Sequence, residues 1–163
     1  MFPLNSRRAK GWLILALAVA TALAIPPQPR AESPVIAWQD YQAGLDLARE
    51  RGLPVGLYFW ARGCRPCELY EQKAFTDPEI VDYINSHLVP IKLDYDEEKE
   101  LVKQYRVRGT PTFFFLTPEA KAIDSLLGYV PRDHFLKVLH YIGDGFYKTL
   151  SFREYLKQIE GEK

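Results

Sequence analysis

Among its 163 residues this chain has two cysteines, three histidines and one methionine. Two cysteines are too few for a disulfide-stapled miniprotein or a four-cysteine zinc site. No charge of either sign dominates, with 21 basic side chains against 21 acidic ones. That balance argues against a nucleic-acid binder, which needs a clear basic excess on some face to neutralise phosphates. Repeats and low-complexity tracts are missing as well. The longest uncharged apolar run, residues 11–25, is shorter than the roughly 20 residues a membrane-spanning helix uses. What the chain does have is 10 Tyr, 9 Phe and 3 Trp within a 47% hydrophobic composition, ample material for one sizeable core.

The first residues stand apart from that core. Arg7, Arg8 and Lys10 precede the apolar run, which closes near Ala22-Leu23-Ala24. A basic head, a short apolar stretch and small residues before a cleavage point describe a secretory signal peptide over 1–24, with an uncleaved anchor through 11–25 as the alternative. Pro26, Pro27, Pro29 and Pro34 make 25–34 an extended spacer. The folded part is then expected outside the cytosol, in the periplasm. Removing 1–24 leaves 18 basic against 21 acidic side chains.

Beyond the spacer the pattern alternates. Val35-Ile36-Ala37-Trp38 reads as a short strand, and Tyr41, Leu45 and Ala48 mark a helix ended by Gly52. Pro54–Trp60 is a buried strand, followed by Cys64-Arg65-Pro66-Cys67 and a helical stretch to Ala74. Thr76-Asp77-Pro78-Glu79 starts a helix carrying Ile80 and Ile84, and Leu88–Leu93 is the next strand. Leu101, Val102 and Tyr105 belong to a short helix. Thr112–Leu116 and Ala122–Leu127 form a hairpin, and Phe135, Val138, Leu139 and Ile142 line a helix opened by Pro131. Ser151 with Glu154 is a capping box for one more helix in a C-terminal extension, 143–163. This order predicts an α/β fold over 35–142, a mixed sheet with helices on both faces.

Cys64 and Cys67 lie between a buried strand and a helix. At a helix start, sulfur meets unpaired amides and the positive end of the helix dipole, both of which favour thiolate. Thiolate is the attacking species in disulfide exchange. Cys67, three residues on, is placed to resolve a mixed disulfide, and Arg65 and Pro66 fit the first turn. Three other readings stand beside this one: half of a zinc site completed by His87, His134 or His140, a structural disulfide, and a cysteine hydrolase. Gly109-Thr110-Pro111-Thr112 is the second element. A cis Thr110–Pro111 bond before a strand would leave the Thr110 backbone free to pair with an extended peptide.

The run Tyr58-Phe59-Trp60-Ala61-Arg62-Gly63-Cys64-Arg65-Pro66-Cys67 resembles the active-site strand and turn of thioredoxins, and Val107–Thr112 resembles their cis-proline segment. Ile91-Lys92-Leu93-Asp94 is similar to the family's third strand and Gly128 to a late glycine. Phe75-Thr76-Asp77-Pro78 and the coda with Tyr141, Gly145 and Tyr147 look like exported members of the SoxW and DsbD-terminal kind. The resemblance implies a thioredoxin fold, with Cys64 attacking and Cys67 resolving. It makes Thr110 and Pro111 a clamp for the substrate backbone, with Trp60, Arg65 and Pro66 flanking. No cofactor or metal is expected; the expected partners are protein disulfides and a membrane electron donor, and the chain is expected to act as a monomer. Two positions depart from the family. Tyr58 stands where many thioredoxins bury an aspartate that relays protons to the second cysteine, leaving Glu68, Lys92 or water as candidates. Gly63 stands where many carry tryptophan. Such dithiols span potentials of about −270 to −120 mV, and the Arg-Pro pair between the cysteines favours a reductase, with oxidase, isomerase or non-catalytic docking module as alternatives.

Overall fold

The computed structural model describes residues 34–161; the signal segment and most of the proline spacer lie outside the described residues. Helix α1 (Tyr41–Arg51) leads to strand β1 (Val55–Trp60), then α2 (Arg65–Leu69), which continues as a wider π-helical turn over Tyr70–Ala74. Next come α3 (Pro78–His87), β2 (Val89–Asp94), α4 (Lys99–Gln104), β3 (Thr112–Leu116), β4 (Ala122–Leu127) and α5 (Arg132–Gly143). A short 3-10 turn (Phe146–Lys148) and α6 (Phe152–Gly161) complete the described chain.

The strands lie in the order β2-β1-β3-β4. β1 runs parallel to β2 and antiparallel to β3, and β3 runs antiparallel to β4 with an irregularity between Phe115 and Leu116. The parallel pair arises because α2, its π turn and α3 intervene between β1 and β2, enough chain for a crossover. β1 is central and buried along nearly its whole length, as its unbroken apolar run predicts.

Local signals act where they stand. Gly52 closes α1 at φ +66, a left-handed conformation suited to glycine. The Asp77 carboxylate accepts from the amides of Glu79 and Ile80, and Pro78 occupies the first turn where no amide partner is needed. In the capping box, the Ser151 amide and hydroxyl both donate to Glu154, and the Glu154 amide donates back to Ser151 Oγ.

One expected strand is not formed. Residues 35–38 form no strand: the Trp38 amide turns back to the Ile36 carbonyl at 2.9 Å, and the segment meets the sheet only at the adjoining isolated bridge between Gln39 and Ile91. The hydrogen bonds of a strand partner come instead from one side chain. Asn85 Oδ1 accepts from the Ala37 amide, and Asn85 Nδ2 donates to the Val35 carbonyl, both at 2.9 Å. An amide side chain offers the same donor and acceptor pair as a peptide group, so the backbone here is satisfied by α3 rather than by β2.

Two clusters close the faces of the sheet. Tyr58, Phe113 and Phe115 pack with Tyr70 and Phe75 and with residues of α3 and α5 such as Ile80 and Phe135. Val55, Leu57, Phe59, Val89, Ile91 and Leu93 pack with Leu45 and Ala48 of α1 and, at the margin, Leu101 and Val102 of α4. The C-terminal extension adds to the first cluster through Tyr155, which is buried, and Phe152 and Leu156, which are partly so.

Candidate active site

β1 delivers Trp60 to one end of the sheet, and the chain leaves it through Gly63, which turns at φ +71. Cys64 is the cap residue of α2, in extended conformation. Its carbonyl accepts from the amides of Cys67 (2.9 Å) and Glu68 (3.1 Å), while its sulfur accepts from the Cys67 amide at 3.2 Å. The sulfur therefore sits at the amino end of a helix that runs on through the π turn to Ala74, where the Cys67 amide and the positive end of the helix dipole favour negative charge. Cys64 and Cys67 are joined at an S–S distance of 2.11 Å. Cys64 is half-buried and Cys67 almost wholly buried, whereas Arg65 and Pro66 are exposed. Of the two sulfur-bearing residues, Cys64 is the more open to solvent.

The second motif meets the first because of strand register. Phe59 pairs with Thr112, so Pro111, just before β3, lies beside Trp60 at the end of β1. The Thr110–Pro111 peptide bond is cis. Pro111 is buried and Thr110 half-buried, and the turn is tied down on both sides. Thr112 Oγ1 donates to the Gly109 carbonyl at 2.6 Å, and the Gly128 amide donates to the Pro111 carbonyl at 2.8 Å. Tyr70, buried in the π turn, accepts from the Val130 amide and donates to the Gly128 carbonyl, fastening the neighbouring loop. Burial pushes the Tyr70 phenol up to about 12, despite the Val130 amide lowering it.

Beneath the dithiol the polar groups are arranged differently from the sequence expectation. Tyr58 is wholly buried, stacked on Phe113 and Trp38, and its hydroxyl has no partner among the described residues. Burial, reinforced by the negative charge of Glu71, drives its pKa far above the ordinary phenol value. Its register partner Lys92 shares the face and extends beneath the rings of Trp60 (4.9 Å to the centroid) and Trp38 (5.7 Å). Lys92 Nζ pairs with Glu71 at 2.6 Å. Glu68, the carboxylate named as a relay candidate, is exposed and enters no ion pair among the described residues. Glu71 was missed; its one clue was a position four residues after Cys67 on the same helix.

The histidines lie elsewhere. His87 and His140 flank the Tyr83 ring, each 4.2 Å from it, and Tyr83 and His140 both bond Asp144. His87 ends α3 near the start of β2, the opposite end of the sheet from Trp60. His134 packs edge-on against Phe152.

The sequence profile of the thioredoxin-like domain matches residues 41–143. The chain belongs to that family. A thioredoxin from Thermus thermophilus superposes with a TM-score of 0.60 at 34% identity, over 68% of this chain and 88% of that one. The DsbD C-terminal domain of Neisseria meningitidis in its reduced form does so at 0.53 and 25% identity, over 62% and 92%. A chloroplastic thioredoxin-like protein of Solanum tuberosum, CITRX, is 37% identical over 71 residues, 44% of this chain and 39% of that protein. The chain thus spans less than half the length of that relative. As a thioredoxin-like redox protein, it carries its Cys64–Cys67 pair at disulfide distance, in a family whose motif supports disulfide oxidoreductase activity.

Proposed function

We propose that this chain is an exported thiol–disulfide reductase of the SoxW and DsbD-terminal kind, working as a monomer in the periplasm on disulfides of other exported proteins. The observation that carries the reading is the meeting of the two motifs. The half-buried sulfur of Cys64 caps a helix, and the 110–111 turn stands at the same end of the sheet. Trp60, Arg65 and Pro66 frame that junction for an approaching partner. The basic, apolar amino-terminal segment supports export, and the DsbD C-terminal domain, a structural neighbour solved in its reduced form, supports a redox role.

In the forward reaction the Cys64 thiolate attacks one sulfur of the substrate disulfide. An S–S bond forms between protein and substrate, and the other substrate sulfur leaves as a thiolate that takes up a proton. Cys67 then loses its proton and attacks Cys64 Sγ. This releases the second substrate thiol and forms the Cys64–Cys67 bond. Two electrons have passed to the substrate, and a membrane-bound dithiol donor restores the protein. Tyr58 cannot take the Cys67 proton, since burial keeps its phenol neutral. We assign that task to Glu71, four residues after Cys67 and paired with Lys92.

A redox titration tests the direction: a potential near −270 mV supports reduction, and one near −120 mV makes the protein an oxidant. A Cys67→Ser variant should accumulate stable mixed disulfides with its substrates, detected as reductant-sensitive adducts, because attack proceeds and release does not. Absence of any adduct with a disulfide-bearing test protein counts against the exchange chemistry itself.

A further inference from the structure

Next to the 110–112 turn, on the sheet face that carries α1 and α4, lies a groove of about 240 Å³. Phe114 and Leu127 line it together with Arg106 and Arg108. Leu127 is 65% exposed, one of two large apolar side chains that the described residues leave open to water. Both arginines are exposed, and among the described residues neither enters an ion pair. Arg106 holds a left-handed backbone at φ +52, a conformation that costs a side-chain-bearing residue more than glycine. The acids of this end of the sheet lie away from the groove. Asp94, Asp96 and Glu97 border a separate hollow at β2, the edge of the sheet opposite β4.

We propose that this groove receives an acidic side chain of the substrate, close in sequence to the cysteine that Cys64 attacks, and so selects which disulfides the protein takes. The inference rests on the reductase reading for the use of the 110–111 turn. Leu127 is the register partner of Thr112, and Arg108 precedes Thr110 by two residues. A substrate strand paired with the Thr110 backbone advances about 3.3 Å per residue, so a side chain two or three residues from the pairing point reaches the groove. Glutamate suits the site on both counts. Its methylenes lie against Phe114 and Leu127, and its carboxylate accepts from guanidinium groups that have no competing partner. Two such exposed pairs amount to about a fivefold preference at low salt.

The test uses the reduced full-length chain and three short peptide disulfides, identical except for Glu, Gln or Lys at the second and third residues after the cysteine. The Glu peptide should be reduced about fivefold faster than the Gln peptide, chiefly through KM, and the Lys peptide more slowly. In Arg106→Gln/Arg108→Gln the Glu-to-Gln ratio should fall to about one, as it should for wild type in high salt. Equal rates for all three peptides, a preference for Lys, or a Glu preference that survives the double variant each overturn the proposal. Reduction of hydroxyethyl disulfide by the wild-type chain reads the dithiol alone, since that molecule is neutral and too small to reach the groove. Failure there defeats the oxidoreductase reading, whereas success without any charge preference defeats only the groove.

Discussion

On one face of the sheet Tyr58, Tyr70, Phe75, Phe113 and Phe135 pack ring against ring, with Phe113 touching each of the other four at centroid distances from 4.6 to 6.2 Å. On the other face the filling is chiefly aliphatic: Leu45, Ala48, Val55, Leu57, Val89, Ile91 and Leu93. Both faces exclude water, yet they do different work. The aromatic face carries polar tips, and Tyr70 uses its own to hold the 128–130 loop beside the cis proline. Packing there is transmitted to the site. The phenol tips at the margin of that face, Tyr41 and Tyr105, bond each other at 2.9 Å, so that face supports β1 without fastening the loop beside the cis proline.

Truncation on each face breaks the comparison most sharply. Phe113→Ala should cost about 3–5 kcal/mol and Leu57→Ala about 2–5, read as denaturant midpoints. Among molecules still folded, Phe113→Ala should also slow disulfide reduction, because Tyr70 loses the ring it leans on, while Leu57→Ala should leave the folded fraction fully active. Equal loss of activity per folded molecule would mean that the two faces are not mechanically distinct.

Overfilling probes the aliphatic side. Gly44 of α1 lies so close to β2 that an added Cβ would fall 2.5 Å from Ile91 Cγ1. Ile91 is fully buried and β-branched, so it yields poorly. Overpacking of about 1–3 kcal/mol outweighs the gain of about 1 kcal/mol that alanine brings to a helix. Gly44→Ala should therefore destabilise by about 1 kcal/mol, with activity per folded molecule retained.

The next change sharpens the contrast from the aromatic side. Tyr58 buries a hydroxyl without a partner among the described residues, and Tyr58→Phe removes that liability while keeping the ring. Stability should rise by about 1 kcal/mol. A fall instead would show that the hydroxyl is satisfied in solution.

The smallest effect lies at the edge of that face, where α3 begins. The hydrogen bond from Arg132, helped by the amides of Ile80 and Glu79, holds the Asp77 carboxyl below its ordinary 3.8. A folded-state pKa below the unfolded value stabilises fully above the ordinary carboxylate range, and that stabilisation is lost as pH falls through the folded pKa. Asp77→Asn keeps the cap acceptor but not the charge, so it should cost about 0.5 kcal/mol at neutral pH. The gap should close as pH falls below the ordinary carboxylate range and through the lowered folded-state pKa, seen as a flatter acid limb of the stability curve.

Much of this molecule was legible from near neighbours in the chain. Gly52, the Asp77 cap, the Ser151–Glu154 box and the two cysteines at a helix start act within a few residues, where backbone geometry leaves few alternatives. The hairpin and the central strand were legible too, since a buried strand must be apolar on both sides. Residues 35–38 misled because an extended apolar segment looks the same whether its hydrogen bonds come from a strand or from Asn85, 48 and 50 residues away. The wider π turn left no sequence signal.

Local pattern by itself determined that a dithiol caps a helix behind a buried strand. Tertiary structure alone decided what surrounds it: Lys92 reaching back 21 residues to Glu71, a Tyr58 hydroxyl with no partner among the described residues, and two arginines at a groove beside the 110–112 turn. Helix caps and turns are held by backbone bonds between neighbours, whereas charge pairs and grooves depend on how distant strands fall into register.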